Sequence, residues 1–319
     1  MKSEKAVFKG SKHFVLNDVA EGVFAAISVP GTGSLGNAAI VDLGDSTLVV
    51  DTFTTIEAAE DLQAAAEFLT GRTASYIINT HWHSDHTFGN QVFASTAQII
   101  STSTTRMIMD SFARKRVEQQ QANPEAIYQA IDELEVKILQ ELDGKLKKEM
   151  EWDNATDREY IKMLPDLVYS LPTLTFDHQI TIHGSRRSVE VLTYGGGHTQ
   201  SDAFVYIPED KIAVTGDLVL SKHHPYMTYA TPQEWLNILE KLEQLGIETI
   251  IPGHGEVSSL KELHEVKGYI TDILNIVTDA IHNKESIDRI SVPEAYQDWY
   301  FTGYFKTNLK AVEDKIKLG

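Results

Sequence analysis

The chain has 319 residues, 42% hydrophobic and 23% charged, a composition that builds a substantial core and excludes disorder as the default. Its 28 Lys and Arg against 46 Asp and Glu give a formal charge of -18, which argues against nucleic acid as a partner. There is no cysteine, so disulfides, thiolate ligands and a Cys nucleophile are excluded, and any metal must be held by imidazole and carboxylate.

The stretch from Met1 to Gly10 is polar and lacks the apolar core of a secretory signal. No run approaches the roughly 20 apolar residues needed to span a bilayer, so the expectation is a cytoplasmic protein with no membrane partner. Short strands are predicted at 23–29, 38–41 and 47–50, the last two forming a hairpin about Gly44-Asp45. A helix is predicted over 57–69, a buried strand over 75–79, a second helix after Gly89-Asn90, and a strand over 98–101.

From about 104 to 165 the composition turns to Glu, Gln, Lys and Ala, and Asn123-Pro124 reads as an N-cap and first-turn proline. Ile127, Ile131, Leu134, Ile138, Leu142 and Leu146 then recur at three- and four-residue steps, as one apolar helical stripe. The stripe must pack against something: its own neighbours, the active site as a lid, or a second copy in a homodimer. Strands resume at 174–182, 189–194, 204–207 and 212–215, followed by an amphipathic helix over 232–245 and a last strand over 249–251. The organisation expected is one domain over 1–319, with a helical insertion at about 104–165 and a helical C-terminal extension from about 258.

Chemistry concentrates at strand ends. Thr80-His81-Trp82-His83-Ser84-Asp85-His86 follows the 75–79 strand and puts four metal-ligand types into six residues. His81 and His83, at i and i+2, share a side and suit one ion, and Asp85 and His86 turn toward a second. Gly195-Gly196-Gly197-His198 follows the 189–194 strand, Thr215-Gly216-Asp217 follows 212–215, and Pro252-Gly253-His254-Gly255 follows 249–251. Five His and two Asp suffice for two ions with three private ligands each and one bridging carboxylate. Thr80, Ser84 and Thr199 are candidate supports for these ligands. His223 and His224 fall close enough to Asp217 to reach the pocket, and Trp82 and Phe88 read as either core or pocket wall. His13, His178, His183, His264 and His282 read as surface or structural residues.

In this order the four segments resemble the successive motifs of the metallo-β-lactamase superfamily: H-x-H-x-D-H, a Gly-flanked His, a Gly-Asp and a P-G-H-G. The resemblance covers most of residues 12–255. It implies an α/β (α+β) fold, an αββα sandwich of two mixed sheets between outer helices. It also implies that His81, His83 and His198 bind one metal, that Asp85, His86 and His254 bind the other, and that Asp217 bridges. Two zinc ions are the implied cofactor, with manganese or iron as alternatives. The implied function is hydrolysis of a small molecule, a metal-bound hydroxide attacking an ester, lactone, thioester or amide carbonyl while Asp85 accepts a proton.

Departures narrow the branch. A true β-lactamase, one alternative, normally has Cys or Ser where Asp217 stands. Glyoxalase II relatives carry a glutathione-binding segment where Leu218 to His224 stand here, and quorum-quenching lactonases have a Tyr where Leu220 stands, unless Tyr226 or Tyr229 substitutes. A mononuclear-iron sulfur dioxygenase of the same fold is the alternative from another reaction class, and a non-catalytic binding protein is a third. The intact set Asp85, His86 and His254 favours two metals.

Overall fold

A computed structural model describes residues 10–318, so the reading of the N-terminal stretch from Met1 to Lys9 lies outside the described residues. The first sheet is built from β1 (Phe14–Ala20), β2 (Val23–Ser28), β3 (Ala38–Asp42), β4 (Thr47–Val50), β5 (Tyr76–Ile78), β6 (Gln98–Thr102) and β7 (Leu174–Phe176), hydrogen-bonded in that order. β1 to β4 are antiparallel, and β4 to β7 are parallel. The second sheet has the order β12 (Thr249–His254), β11 (Ile212–Leu220), β10 (Ala203–Ile207), β9 (Ser188–Thr193), β8 (Gln179–His183), with only the β11–β12 pair parallel. Both sheets are therefore mixed.

Alternation along the strands explains the layering. Val23, Ala25 and Ile27 of β2, with Ala39 and Val41 of β3, face inward and meet Val189, Val191, Val205 and Val214 of the second sheet. The alternate residues, among them Ala26, Ala38 and Ile40, face outward onto α1 (Ile56–Thr70). The buried face of α1 is largely alanine (Ala58, Ala59, Ala65, Ala66), which brings its backbone close to the sheet. Thr55 caps its start by accepting from the Ala58 N–H, and Gly71, at φ 73°, ends it in the left-handed region. On the other side, α8 (Pro232–Glu243), α9 (Leu260–Asn283) and α10 (Tyr304–Leu318) cover the second sheet around Trp235, Tyr269 and Phe305. The αββα sandwich is thus observed, and no described helix is long and apolar enough to cross a membrane.

Three local readings need correction. The 174–182 run is two strands, because the chain leaves the first sheet after Phe176 and enters the second at Gln179. The Asn123-Pro124 cap is absent: Asn123 closes α5 (Arg114–Ala122), and Pro124 precedes α6 (Glu125–Gln140) with no side-chain cap bond. The single apolar stripe is broken, since Asp143 accepts from the Lys145 and Leu146 N–H groups and starts a new helix, α7 (Gly144–Met163). Periodicity passes straight through that break, because four-residue spacing is preserved across the turn.

The consequence is that the stripe divides. Ile131 is 2% exposed among Val117, Tyr160 and Ile161, and its carbonyl accepts from Asn154 Nδ2 of α7 at 3.0 Å, whereas Leu142 at the turn is 96% exposed. α6 therefore docks on its neighbour α7. Ile131→Ala should cost about 2–5 kcal/mol of stability, while Leu142→Ala should stay within about 0.5 kcal/mol. Denaturant titration of both variants checks this, and equal losses would restore the continuous stripe.

Candidate metal centre

The loop after β5 places His81 and His83, and a short helix, α2 (Ser84–Thr87), carries Asp85 and His86. The second sheet contributes the rest: His198 between β9 and β10, Asp217 and His254. Asp217 does not follow its strand, as the sequence suggested, but lies within β11, and His254 is the last residue of β12. The pairing of β11 with β12 shifts register around Gly216, whose φ is 50°, so the irregularity falls beside the carboxylate. A Cβ on Gly253 would collide with Asp217 Oδ1, so the Pro252-Gly253-His254 turn requires glycine for close packing.

All seven predicted residues converge. His81, His83, His198 and Asp217 form one set of potential ligand atoms, and Asp85, His86 and His254 form a second, with the atoms of each set within 4.8 Å of one another. Asp217 lies between the sets: its oxygens are 3.3 Å from His198 Nε2, 3.2 Å from His86 Nε2 and 3.4 Å from His254 Nε2. Asp85 Oδ2 stands 3.3 Å from both His86 Nε2 and His254 Nε2.

Charge in this cluster is unevenly shared. Burial, reinforced by the neighbouring imidazoles, holds His81 well below its ordinary value and lowers His83 to about 3. Burial acts against charge on His254 too, but Asp217 and Asp85 outweigh it and push that ring up to about 9. His86 is raised for the same reason, burial being overcome by Asp85, Asp217 and Asp51. Asp85 and Asp217 are also buried, yet the facing His86 and His254 hold both well below the carboxylate range.

A residue that sequence reasoning missed organises the rings. Asp51, 2% exposed at the end of β4, accepts from His86 Nδ1 at 2.8 Å and from the Thr80 hydroxyl at 2.7 Å. Thr80 Oγ1 in turn lies 3.0 Å from His81 Nδ1. Because that hydroxyl gives its proton to Asp51, it accepts from His81 Nδ1. One carboxylate therefore fixes both tautomers and turns two bare Nε2 atoms toward the cluster. The available signal was an isolated Asp ending the apolar run Leu48-Val49-Val50, where a core position would be apolar. Its backbone φ of 61° also sets it apart.

The other candidates separate. Thr80 supports His81 as expected, but Thr199 acts at one remove: its hydroxyl donates to Asp202, which also accepts from the Gly197 N–H and so shapes the His198 turn. Ser84 lines the cavity beside the cluster, as does the buried His224, while the His223 Nδ1 lies 2.6 Å from the Ser221 carbonyl. Trp82 and Phe88 are 5% and 8% exposed and also wall the cavity, so core and wall are the same place here. His13 is buried elsewhere, against the Thr32 carbonyl.

The donor chemistry fits metal ions. His81 Nε2 is buried and has no hydrogen-bond partner among the described residues, its Nδ1 being engaged with Thr80. An unpartnered buried polar atom is costly, and a cation in the first set would satisfy it. His83, Asp85, Asp217 and His254 line a cavity of about 480 Å³, and Val117, Ile127 and Tyr160 of the helices between β6 and β7 line it too.

The comparisons agree with this architecture. The family model of the metallo-beta-lactamase superfamily matches residues 31–254. A metallo-beta-lactamase from Pontibacter korlensis superposes with a TM-score of 0.58 at 17% identity, over 81% of this chain and 99% of that one. The DIM-1 metallo-beta-lactamase gives 0.57 at 19% identity, over 82% and 98%. At such identities the structural likeness is one of fold. The family match runs from the loop before β3 to the final ligand-type residue, His254, and takes in all seven clustered side chains; the chain belongs to the metallo-beta-lactamase superfamily.

Proposed function

We propose that the seven residues hold two divalent ions, zinc in the first instance, and that the protein hydrolyses an ester, lactone, thioester or amide bond in a small molecule. The observation that carries this reading is the pairing of two complete ligand sets around one carboxylate, Asp217, on the wall of a partly enclosed cavity. When bound, such a pair of ions acidifies water and polarises a carbonyl.

The chain's own groups do the rest. Asp217 neutralises both sets at once, and Asp51 keeps His81 and His86 in the tautomers that present Nε2. Asp85 lines the cavity and is the carboxylate that takes a proton from water and passes it to the leaving atom. Trp82, Phe88 and Tyr229 exclude solvent from the reacting carbonyl. A one-iron dioxygenase would leave the buried set of Asp85, His86 and His254 without a cation, which favours the two-ion reading.

Elemental analysis beside a chromogenic panel of ester, lactone, thioester and β-lactam tests the proposal. About two zinc ions per chain with chelator-sensitive turnover is the expected outcome; one iron with oxygen consumption on persulfides would replace it. Asp217→Ala should lower occupancy of both ions, and retention of two tightly held ions would remove its bridging role. Asp51→Ala should weaken zinc binding by about 10- to 100-fold in chelator competition, an effect absent if the rings hold their tautomers unaided. Against burial, Asp85 and Asp217 raise His86 and push His254 up to about 9. Zinc binding should then release protons and weaken as pH falls. Calorimetry in buffers of different ionisation enthalpy reads the proton count, and a zero count contradicts that charge distribution.

A further inference from the structure

The matched region ends at His254, yet the cavity is finished by residues beyond it. Phe301 and Tyr304 both line it, at the turn that leads into α10. They belong to a run of rings that arches from one ligand set to the other. His83 is 6.0 Å from Tyr226, Tyr226 is 5.2 Å from Tyr304, Tyr304 is 5.4 Å from Phe301, and Phe301 is 5.4 Å from His254, all between ring centroids. His83 belongs to the first set and His254 to the second, so Tyr304 stands in the run of rings that links them, and it lines the same cavity as Asp85 and Asp217.

Two further observations mark this turn as built for a purpose. Phe301 has φ 60°, a left-handed conformation that a bulky side chain rarely adopts and that persists only when its surroundings impose it. The surroundings are supplied by the inserted helices. Glu149 of α7, 5% exposed, accepts from the Thr302 N–H at 2.9 Å and from the Thr302 hydroxyl at 3.2 Å. Lys145, one turn earlier, donates to the Gln297 carbonyl at 2.8 Å and also to that of Trp299. The Tyr304 hydroxyl, by contrast, makes no hydrogen bond among the described residues, and Tyr304 is one of the residues that line the cavity.

We propose that Tyr304 is a catalytic residue whose hydroxyl donates a hydrogen bond to the oxygen of the substrate carbonyl, and that Glu149 is a positioning residue that holds the Phe301–Tyr304 turn at the cavity. This rests on the hydrolase reading. A phenol that ordinarily titrates near 10 is a donor at neutral pH, and it stabilises an oxygen on which negative charge develops. In the reaction, the oxygen of water bonds to the carbonyl carbon, the bond from that carbon to the leaving atom breaks, and the proton from water ends on the leaving atom. Tyr304 keeps its own proton throughout. The phenol thus reaches the cavity from a segment outside the matched region.

The test uses the full-length, zinc-loaded protein with 4-nitrophenyl butyrate, dihydrocoumarin, S-phenyl thiobutyrate and nitrocefin. Tyr304→Phe should lower kcat about a hundredfold on the best substrate, with KM and zinc content little changed. Butylboronic acid, which offers a tetrahedral oxygen centre, should bind Tyr304→Phe about tenfold more weakly by calorimetry. Glu149→Ala should lower kcat in the same direction, and Glu149→Gln, which keeps a carbonyl oxygen for the Thr302 N–H, should restore most of it. A wild type that cleaves with Tyr304→Phe within twofold overturns the donor alone. Loss of kcat in Glu149→Ala that Glu149→Gln fails to restore overturns the positioning role. A wild type that cleaves none of the four substrates overturns the hydrolase reading and the donor with it.

Discussion

The arrangement depends on the burial of one carboxylate. Asp217 is 6% exposed, inside a strand whose flanking residues are apolar, and three imidazole nitrogens lie within 3.4 Å of its oxygens. An isolated carboxylate in such a place would be far too costly to keep ionised. It stays ionised because positive charge is assembled around it, and that requirement draws groups from both sheets to one point. Against burial, the facing carboxylates raise His86 and push His254 up to about 9, so these two rings favour positive charge. Cations in the two sets would take over the same task, which is why a buried charge cluster and a metal centre are the same structure here.

The sandwich explains how a cluster so polar can sit against so apolar a core. Its ligand-type residues occupy the loop after β5, α2, the β9–β10 turn, and β11 and β12. Behind them, small hydrogen-bonding residues tie the sheets together. Asn37, before β3, donates to the carbonyls of Pro252 and Gly255 on either side of His254, and the Ala203 N–H of β10 donates to the Thr80 carbonyl. Asp51 then carries the order into the rings themselves. Rigidity at the site comes from these bonds and from the packing of Trp235, whose ring lies 5.3 Å from His198.

The helices outside the sheets decide what the centre can meet. α5, α6 and α7 line the cavity, and α7 also clamps the turn that brings Phe301 and Tyr304 to it. Two segments far apart in the chain, α7 and the turn before α10, are therefore joined by hydrogen bonds. The link runs through Glu149 and Lys145, two charged residues in a helix where most charges face water.

The sequence pointed to the side chains that folding brings together in the candidate metal centre. His81, His83, Asp85, His86, His198, Asp217 and His254 were all legible, because ligand chemistry tolerates few residue types and turns beside strands need glycine. The strands were legible for a related reason: short apolar runs such as β2, β3 and β10 mark strands covered on both faces. The tertiary structure alone decided the rest. It showed that 174–182 serves two sheets, a change with no local signature because each half alternates correctly by itself. It broke the 127–146 stripe at Asp143, where helical spacing continues though the helix does not. It brought Asp51 beside His86, 35 residues further along the chain, and it brought Tyr304 to the cavity that the cluster shares. Such long-range roles leave no periodicity, since a lone Asp or Tyr acquires its meaning only from what folding sets beside it.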